Sequence, residues 1–485
     1  ILQLLQSEGK YGPLVCYAFT VNYILGVGCL GIPYAFLQCG IVLGSILVLL
    51  LSMVSYMTVM WVAQTYQQEL LMEAYLSNSN PFILSPVIKK RKERNKITNN
   101  KNENNENTVQ LEVTDLALEY LGPHGKLVYQ ISLMLLTYVG LLAYTQVFNS
   151  SFVSQIWPTA PYWLPAVLFG VVVVPLSCCD LSDQVTVQVV MSLLRFLSLG
   201  ILLFGTIVAY LVDPPGVSSS DHTSGGVAPP LVQLSGFSVM FTTAIFSQLF
   251  QHSVPGLISP LTHEHRKLVP TIFKAALATT SLIYITTGCM CVLYFGDHLQ
   301  QSVNLNFVNF TWGYNYSITD DNIWNRLGAI LVSSISMIVV LFPALDTLSV
   351  FPLIANTLGN NLNSAFPGLA GIVKQSNYVT ERSSVRRITL VLWRLVAAIP
   401  PIILSIYVND LIFSLQLAGL CGIVVALVTP ALLQRQCEFR SALIPVSMKA
   451  NSPISVEFTQ KRYAVAVLVL AAVALLIAFY QMIMS

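Results

Sequence analysis

Charge is scarce in this sequence. Of 485 residues only 9% are Asp, Glu, Lys or Arg, while 55% are hydrophobic and the mean hydropathy is +0.69; a soluble domain carries about a quarter charged residues. A soluble fold is excluded, because so apolar a chain needs lipid as the solvent for most of its surface. The formal net charge of +2 is too small to attract nucleic acid, and no aromatic–basic interleaving is present. Also missing are a nucleotide-binding Walker motif, a dinucleotide glycine fingerprint and a metal-ligand cluster. Their absence argues against a primary pump, a redox enzyme or any resident cofactor or metal. No repeated selectivity-filter element suggests a channel. The nine cysteines form no loop framework: Cys16, Cys29, Cys39, Cys289, Cys291 and Cys421 lie in apolar runs, Cys178 and Cys179 at a span end, and they read as small core residues. The chain starts at Ile1 without Met, and no cleavable leader is expected.

What the sequence does have is long apolar runs. Segments near 14–37, 40–64, 127–150, 162–179, 185–212, 235–258, 270–295, 323–355, 388–408, 411–434 and 461–484 are each long enough to cross a hydrocarbon core of about 30 Å. The expectation is an all-α membrane protein of about eleven transmembrane helices, since runs this evenly apolar are not barrel strands.

Lys and Arg set the orientation. With the N-terminus cytoplasmic, inner segments hold Lys10, the run Lys89 to Lys101, Lys126, Arg266, Lys267, Lys274, Lys374, Arg382, Arg386, Arg387, Arg435, Arg440, Lys449, Lys461 and Arg462. The outer loops near 151–161, 213–234, 297–322 and 409–410 hold none. Three N-glycosylation sequons, at Asn149, Asn309 and Asn315, all fall on the outer side, with Asn149 close to the membrane edge. They imply passage through the secretory pathway; plasma membrane and lysosomal or vacuolar membrane both fit. One polar insertion, about 67–112 within a cytoplasmic segment running to 126, contains "KKRKERNKITNNKNENNENT" and is expected to be largely disordered. A lipid-binding or docking basic patch is the alternative.

Two spans carry interruptions. The first holds Gly26, Gly28, Gly31 and Pro33 within eight positions, where each Gly costs about 1 kcal/mol and Pro about 3 in a helix interior. The sixth holds Thr242, Thr243, Ala244, Ser247, Gln248, Gln251, His252 and Pro255-Gly256. Small-residue spacing also serves close helix packing. Yet paired breaks in corresponding spans of two halves mark a mid-membrane solute site, where free N–H groups and helix ends hold a solute's charges.

The spacing of Asn22, Gly26, Gly28, Leu30, Pro33, Ala35, Phe36 and Gly40 resembles the first helix of the amino acid/auxin permease family. "FQHSVPGLISPL", "LYFGDHLQQSVNLN" and "VALVTPALLQ" resemble its sixth helix, seventh-helix exit and tenth helix. "EVTDLALEYLG" and "QHSVPGLI" further resemble the transmembrane protein 104 group. The resemblance implies a five-plus-five inverted-repeat (LeuT-like) core plus one peripheral helix, and a secondary transporter of amino acids or similar small solutes. By position it places Asn22, Gly26, Val27, Gly28 and Gly31, with Thr243, Ala244, Phe246, Ser247 and Gln248, around the substrate. Paired outer-loop cysteines, typical of one branch, are lacking.

Charges inside spans are the remaining signals. Arg195 lies about ten residues into its span, so about 15 Å deep, and needs a buried partner. In some sodium-independent relatives a cation at this place resembles a substitute for bound sodium; a structural ion pair is the alternative. Ser333, Ser334 and Ser336 stand where sodium-coupled relatives place ligands, so both H+ and Na+ remain open as coupling ions. His252 is the protonatable candidate within a span. Asp346 and Arg394 suggest an inner-gate pair or simple snorkelling. Expected partners are a small-molecule substrate and lipid. A rival reading is a nutrient receptor built on a transporter fold, signalling through the 67–112 insertion.

Overall fold

The computed structural model describes residues 12–79, 111–178, 185–212, 230–262, 264–308, 310, 323–366, 379–441, 454, 458 and 460–484. Among these residues the chain is helical throughout, with short 3₁₀ and π turns and no β-strand. Eight helices are long and apolar enough to cross a membrane, or nine if one pair bent by 54° counts as a single span.

That bent pair is α1 (Pro13–Ile24) and α2 (Gly28–Cys39). It is followed by α3 (Ile41–Ser79), α4 (Val113–Gln155), α5 (Trp163–Cys178) and α6 (Val185–Val212). Next come two short helices, α7 (Phe237–Ser247) and α8 (Val254–Ile258), and then α9 (Val269–Phe295), α10 (Ile323–Ala365) and α11 (Val379–Tyr407). The last three are α12 (Leu411–Ile423), which runs through a π turn into α13 (Thr429–Ser441), and α14 (Lys461–Met484). Two segments read as spans in the sequence fall outside the eight or nine. One is α5, apolar but only 16 residues long. The other, 235–258, is divided between α7 and α8.

The expected loop boundaries need correction. Helix α3 continues to Ser79, and residues 113–126, read as the end of the cytoplasmic segment, form the start of α4. A capping box between Glu112 and Asp115 nucleates this start. Val113, Leu116, Ala117 and Tyr120 are buried at helical spacing. Gly122, at φ +76°, then turns the chain into the long helix. Arg440 of α13 fastens this first stretch, 2.8 Å from the Glu119 carboxylate and 4.8 Å above the Tyr120 ring. The stretch 356–387, between the spans read at 323–355 and 388–408 and cytoplasmic by the Lys/Arg rule, is likewise shortened by the ends of α10 and α11. The Asn-rich run at 80–110 lies outside the described residues.

The core is organised around α2 and α7, which pack together, with α12 against α7 and α4 against both α10 and α12. At the corner between α2 and α3, Gly40 adopts φ +89°, and a Cβ there would meet the Leu231 backbone at 2.7 Å. The Gly40 corner instead pairs with residues 230–233 through Ile41 N–H to Pro230 O (3.1 Å) and Gln233 N–H to Cys39 O (2.7 Å). Helix α12 comes close to α7 at Gly419, where an added Cβ would collide with Thr242 O. Backbone cannot yield as a side chain can. Gly419→Ala is therefore expected to lower stability by about 1–3 kcal/mol, measurable as a lower melting temperature in detergent.

Candidate functional site

Helix α1 stops at Ile24 because Leu25 leaves the helical region (φ −78°, ψ 65°) and Gly26 N–H turns back to Ile24 O at 2.9 Å. Pro33, one of the residues that suggested the break, sits inside α2 without interrupting it. The carbonyls at the end of α1 carry the negative end of its dipole. Two side chains from distant helices meet them. Arg195 Nη1 donates to Asn22 O (3.2 Å), Asn22 Oδ1 (2.8 Å) and Leu25 O (2.9 Å). The Tyr284 hydroxyl, from α9, lies 2.9 Å from Ile24 O.

The rest of the Arg195 guanidinium is taken by Asp346 of α10. Nε donates to Oδ2 at 3.0 Å, and Nη2 lies 2.7 Å from both carboxylate oxygens. Both residues are buried, so the pair is a fork-on-fork ion pair inside the bundle. Of the two readings of Asp346 and Arg394, the inner-gate pair is not formed: Asp346 is taken by Arg195, and Arg394 Nη1 donates to Cys178 O at 2.9 Å. A sequence separation of 151 between Arg195 and Asp346 hides their pairing from any local reading.

The second break follows Ser247. Its carbonyl accepts from the same Tyr284 hydroxyl, at 3.0 Å, so one phenol caps the open ends of both α1 and α7. Behind it, Ser55 Oγ donates to Gln248 O (3.2 Å), and Gln251 Nε2 reaches Ser55 Oγ and Thr58 Oγ1, each at 3.1 Å. These bonds fasten the unwound residues to α3. Tyr284→Phe leaves the packing intact but strips a buried donor from two carbonyls. A loss of about 1–3 kcal/mol, read by thermal unfolding, is the expected result.

Beside the first break lies a cavity. Gly26, Val27, Cys29 and Leu30 form one wall, Tyr144 and Val147 of α4 a second, and Arg195, Ser198, Leu199 and Leu202 of α6 a third. Val339, Phe342, Pro343, Asp346 and Thr347 of α10 complete it with Asn304. Asn304, in the 3₁₀ turn Val303–Phe307, is fully buried and donates to Ser151 Oγ (3.0 Å) and Val340 O (3.1 Å). It pins the segment after α9 onto α4 and α10.

The sequence-derived site residues divide accordingly. Gly26 and Val27 line the cavity, and Asn22 holds Arg195 in its wall. Gly28 and Gly31 face the other way: a Cβ on Gly28 would meet Ser247 Oγ at 2.4 Å, and one on Gly31 would meet Leu415 Cδ1 at 2.4 Å. Thr243, Ala244, Phe246, Ser247 and Gln248 are absent from the cavity wall. Ser247 and Phe246 instead close against Gly28, and Gln248 Nε2 points to Val48 O and Ser281 Oγ at 3.4 and 3.5 Å.

The serines of α10 are not gathered into a cation site. Ser333 and Ser334 are exposed on the helix surface, Ser334 bonding back to Ile330 O at 2.8 Å, while Ser336 donates to Phe310 O at 2.9 Å. His252 lies in the 3₁₀ turn before α8, away from the cavity, and its Nδ1 is buried without a hydrogen-bond partner. Asn149 cannot be an acceptor for glycan: it is fully buried and its amide bonds to Ser405 Oγ at 3.3 Å. Asn309 and Asn315 lie outside the described residues. Tyr144, Tyr284 and Asn304 had not been singled out in the sequence; each looks there like an ordinary member of an apolar helix or loop.

Residues 13–74, spanning α1, α2 and most of α3, match the family described as transmembrane amino acid transporter protein. The chain is 24% identical over 296 residues to Transmembrane protein 104 of Homo sapiens, covering 60% of this chain and 52% of that protein. It is 22% identical over 483 residues to Transmembrane protein 104 of Mus musculus, covering 90% and 89%. A Transmembrane protein 104 homolog of Caenorhabditis elegans is 24% identical over 500 residues, covering 92% of each. The chain spans about half the length of the human relative it matches. Both resemblances drawn from the sequence are thereby borne out, and the chain is an integral, multi-pass membrane protein.

Proposed function

We propose, from the match of residues 13–74 to the transmembrane amino acid transporter family, that this chain is a secondary active transporter of amino acids or similar small organic solutes. It works by alternating access, with the solute held beside the break in the first span. The carrying observation is the convergence of two helix breaks on one hydroxyl, Tyr284, beside a cavity walled by the first of them. Unwound backbone at mid-membrane is tolerated where it lines a cavity, and such half-helix ends are what secondary transporters use to hold charged solute groups.

In this reading α5 and the α7–α8 pair are also spans. The total becomes eleven, with a five-plus-five inverted repeat, α14 peripheral and the N-terminus cytoplasmic. Arg195 occupies the carbonyl end of α1 as a permanent counter-charge. Since Arg keeps its proton, it takes the place of a sodium ion and carries no proton itself.

The test is uptake of a panel of labelled amino acids into proteoliposomes, with sodium and pH gradients imposed separately. Accumulation without a sodium gradient is the expected outcome. Binding without flux would overturn the transporter reading in favour of a receptor, and strict dependence on sodium would overturn the role given to Arg195.

A further inference from the structure

We propose that Glu69, near the inner end of α3, is a proton-binding site separate from the cavity, and that the proton it holds keeps the junction of α3, α4 and α13 closed.

Glu69 lies beyond the apolar run read at 40–64, yet only 4% of it is exposed. A carboxylate out of water needs a cation or a full set of donors. The cation at this junction is committed elsewhere. Arg440 pairs with the Glu119 carboxylate through Nη1 at 2.8 Å and donates to Glu119 O through Nη2 at 2.7 Å, with its guanidinium over the Tyr120 ring. Glu69 has the Tyr120 hydroxyl, a neutral donor. Among the described residues, the charges acting on it are Glu119 of α4, Glu73 of its own helix and Arg440 of α13. Three carboxyl groups therefore surround one guanidinium, and like charges held close together do not all ionise. Glu69 is the buried one of the three, so the proton belongs there.

The adjoining residue ties α3 to α13. Gln68 Nε2 donates to Cys437 O at 3.2 Å, and the Cys437 thiol returns a hydrogen bond to Gln68 Oε1. Cys437 and Glu438 are the other titratable groups that α13 brings to this junction. Three residues back along α3, Tyr66 lies near Arg266, whose donors go to Leu261 O and Ser259 O at 3.3 and 3.4 Å. With its proton, Glu69 accepts from Tyr120 and leaves Arg440 to Glu119, which is the arrangement seen. Loss of that proton to water sets a second carboxylate competing for the same guanidinium. The first stretch of α4 then loses its tie to α13. In the proposed orientation this junction faces the cytoplasm, so cytoplasmic pH sets its state.

Thermal unfolding of the full chain in detergent, at about pH 6 and about pH 8, tests the proposal. A folded state that holds a proton which the unfolded chain has released loses stability as pH rises. The wild-type melting temperature should therefore fall by about 2–4 °C between the two. Glu69→Gln keeps an acceptor for Tyr120 and cannot ionise, so the fall should be lost. A fall of wild-type size in Glu69→Gln overturns the proposal. So does a wild type whose melting temperature does not fall, whether or not any variant folds. Glu119→Gln frees Arg440 for Glu69, which then ionises, and the fall should again be lost; a fall kept in full overturns the competition for Arg440. The readout needs no solute, so it stands whatever the uptake experiments return.

Discussion

Gly26→Leu should insert, fold and purify like the wild type yet transport nothing. A Cβ at this position meets only the Tyr144 hydroxyl, at 3.3 Å, and Gly26 is not among the positive-φ glycines. Backbone therefore does not forbid the change, and the new side chain grows into the cavity between Val27, Tyr144 and α10. The neighbouring glycines provide the contrast. At Gly28 an added Cβ would stand 2.4 Å from Ser247 Oγ and 3.2 Å from the Ser247 Cα, so substitution there attacks the packing of α2 on α7 before it reaches the site. The pair of measurements is solute flux into proteoliposomes and melting temperature in detergent. Flux at background with a near-normal melting temperature is expected; normal flux by Gly26→Leu would remove the cavity from consideration.

The second large effect concerns the buried ion pair. Asp346→Ala leaves the Arg195 charge inside the bundle without its carboxylate, a change that costs about 3–5 kcal/mol when one partner of a buried pair is removed. Arg195→Met is expected to cost as much and also strips donors from Asn22 O and Leu25 O. The double variant Arg195→Met with Asp346→Leu should regain part of this stability, because apolar replacement of a buried pair is often neutral. It should not regain all, since the α1 carbonyls stay unmatched. Thermal unfolding of the three variants separates these cases, and a fully stable Asp346→Ala would mean that the pair contributes nothing to folding.

The features legible in the sequence were those written in short stretches of chain. Gly26 and its neighbours announced the first break, and the polar run from Thr242 to Gln251 announced the second; both are present. Pro33 reads in the sequence as one of the breakers, but it lies within α2. Thr243 to Gln248 were placed around a solute, whereas they pack against α2 and α3. The wall opposite the break comes from α4, α6 and α10, and no periodicity tells which face of a wholly apolar helix turns toward a cavity. Arg195 was visible as a charge in need of a partner, because its burial follows from depth alone. Its partner was not, because Asp346 lies 151 positions further on and a second arginine, Arg394, could equally take that carboxylate until tertiary packing decides between the two cations. Tyr284 was invisible for a related reason: a tyrosine in an apolar helix gives no sign of where its hydroxyl will land.

That hydroxyl has a single hydrogen to give and two carbonyls, Ile24 O and Ser247 O, within 3.0 Å. It can serve one of them well or both of them poorly. A tilt of α1 away from Tyr284 hands the hydrogen to the end of α7, and a tilt of α7 hands it to the end of α1. The ends of α1 and α7 thus share one donor, so a displacement of either helix would change the hydrogen bond left to the other.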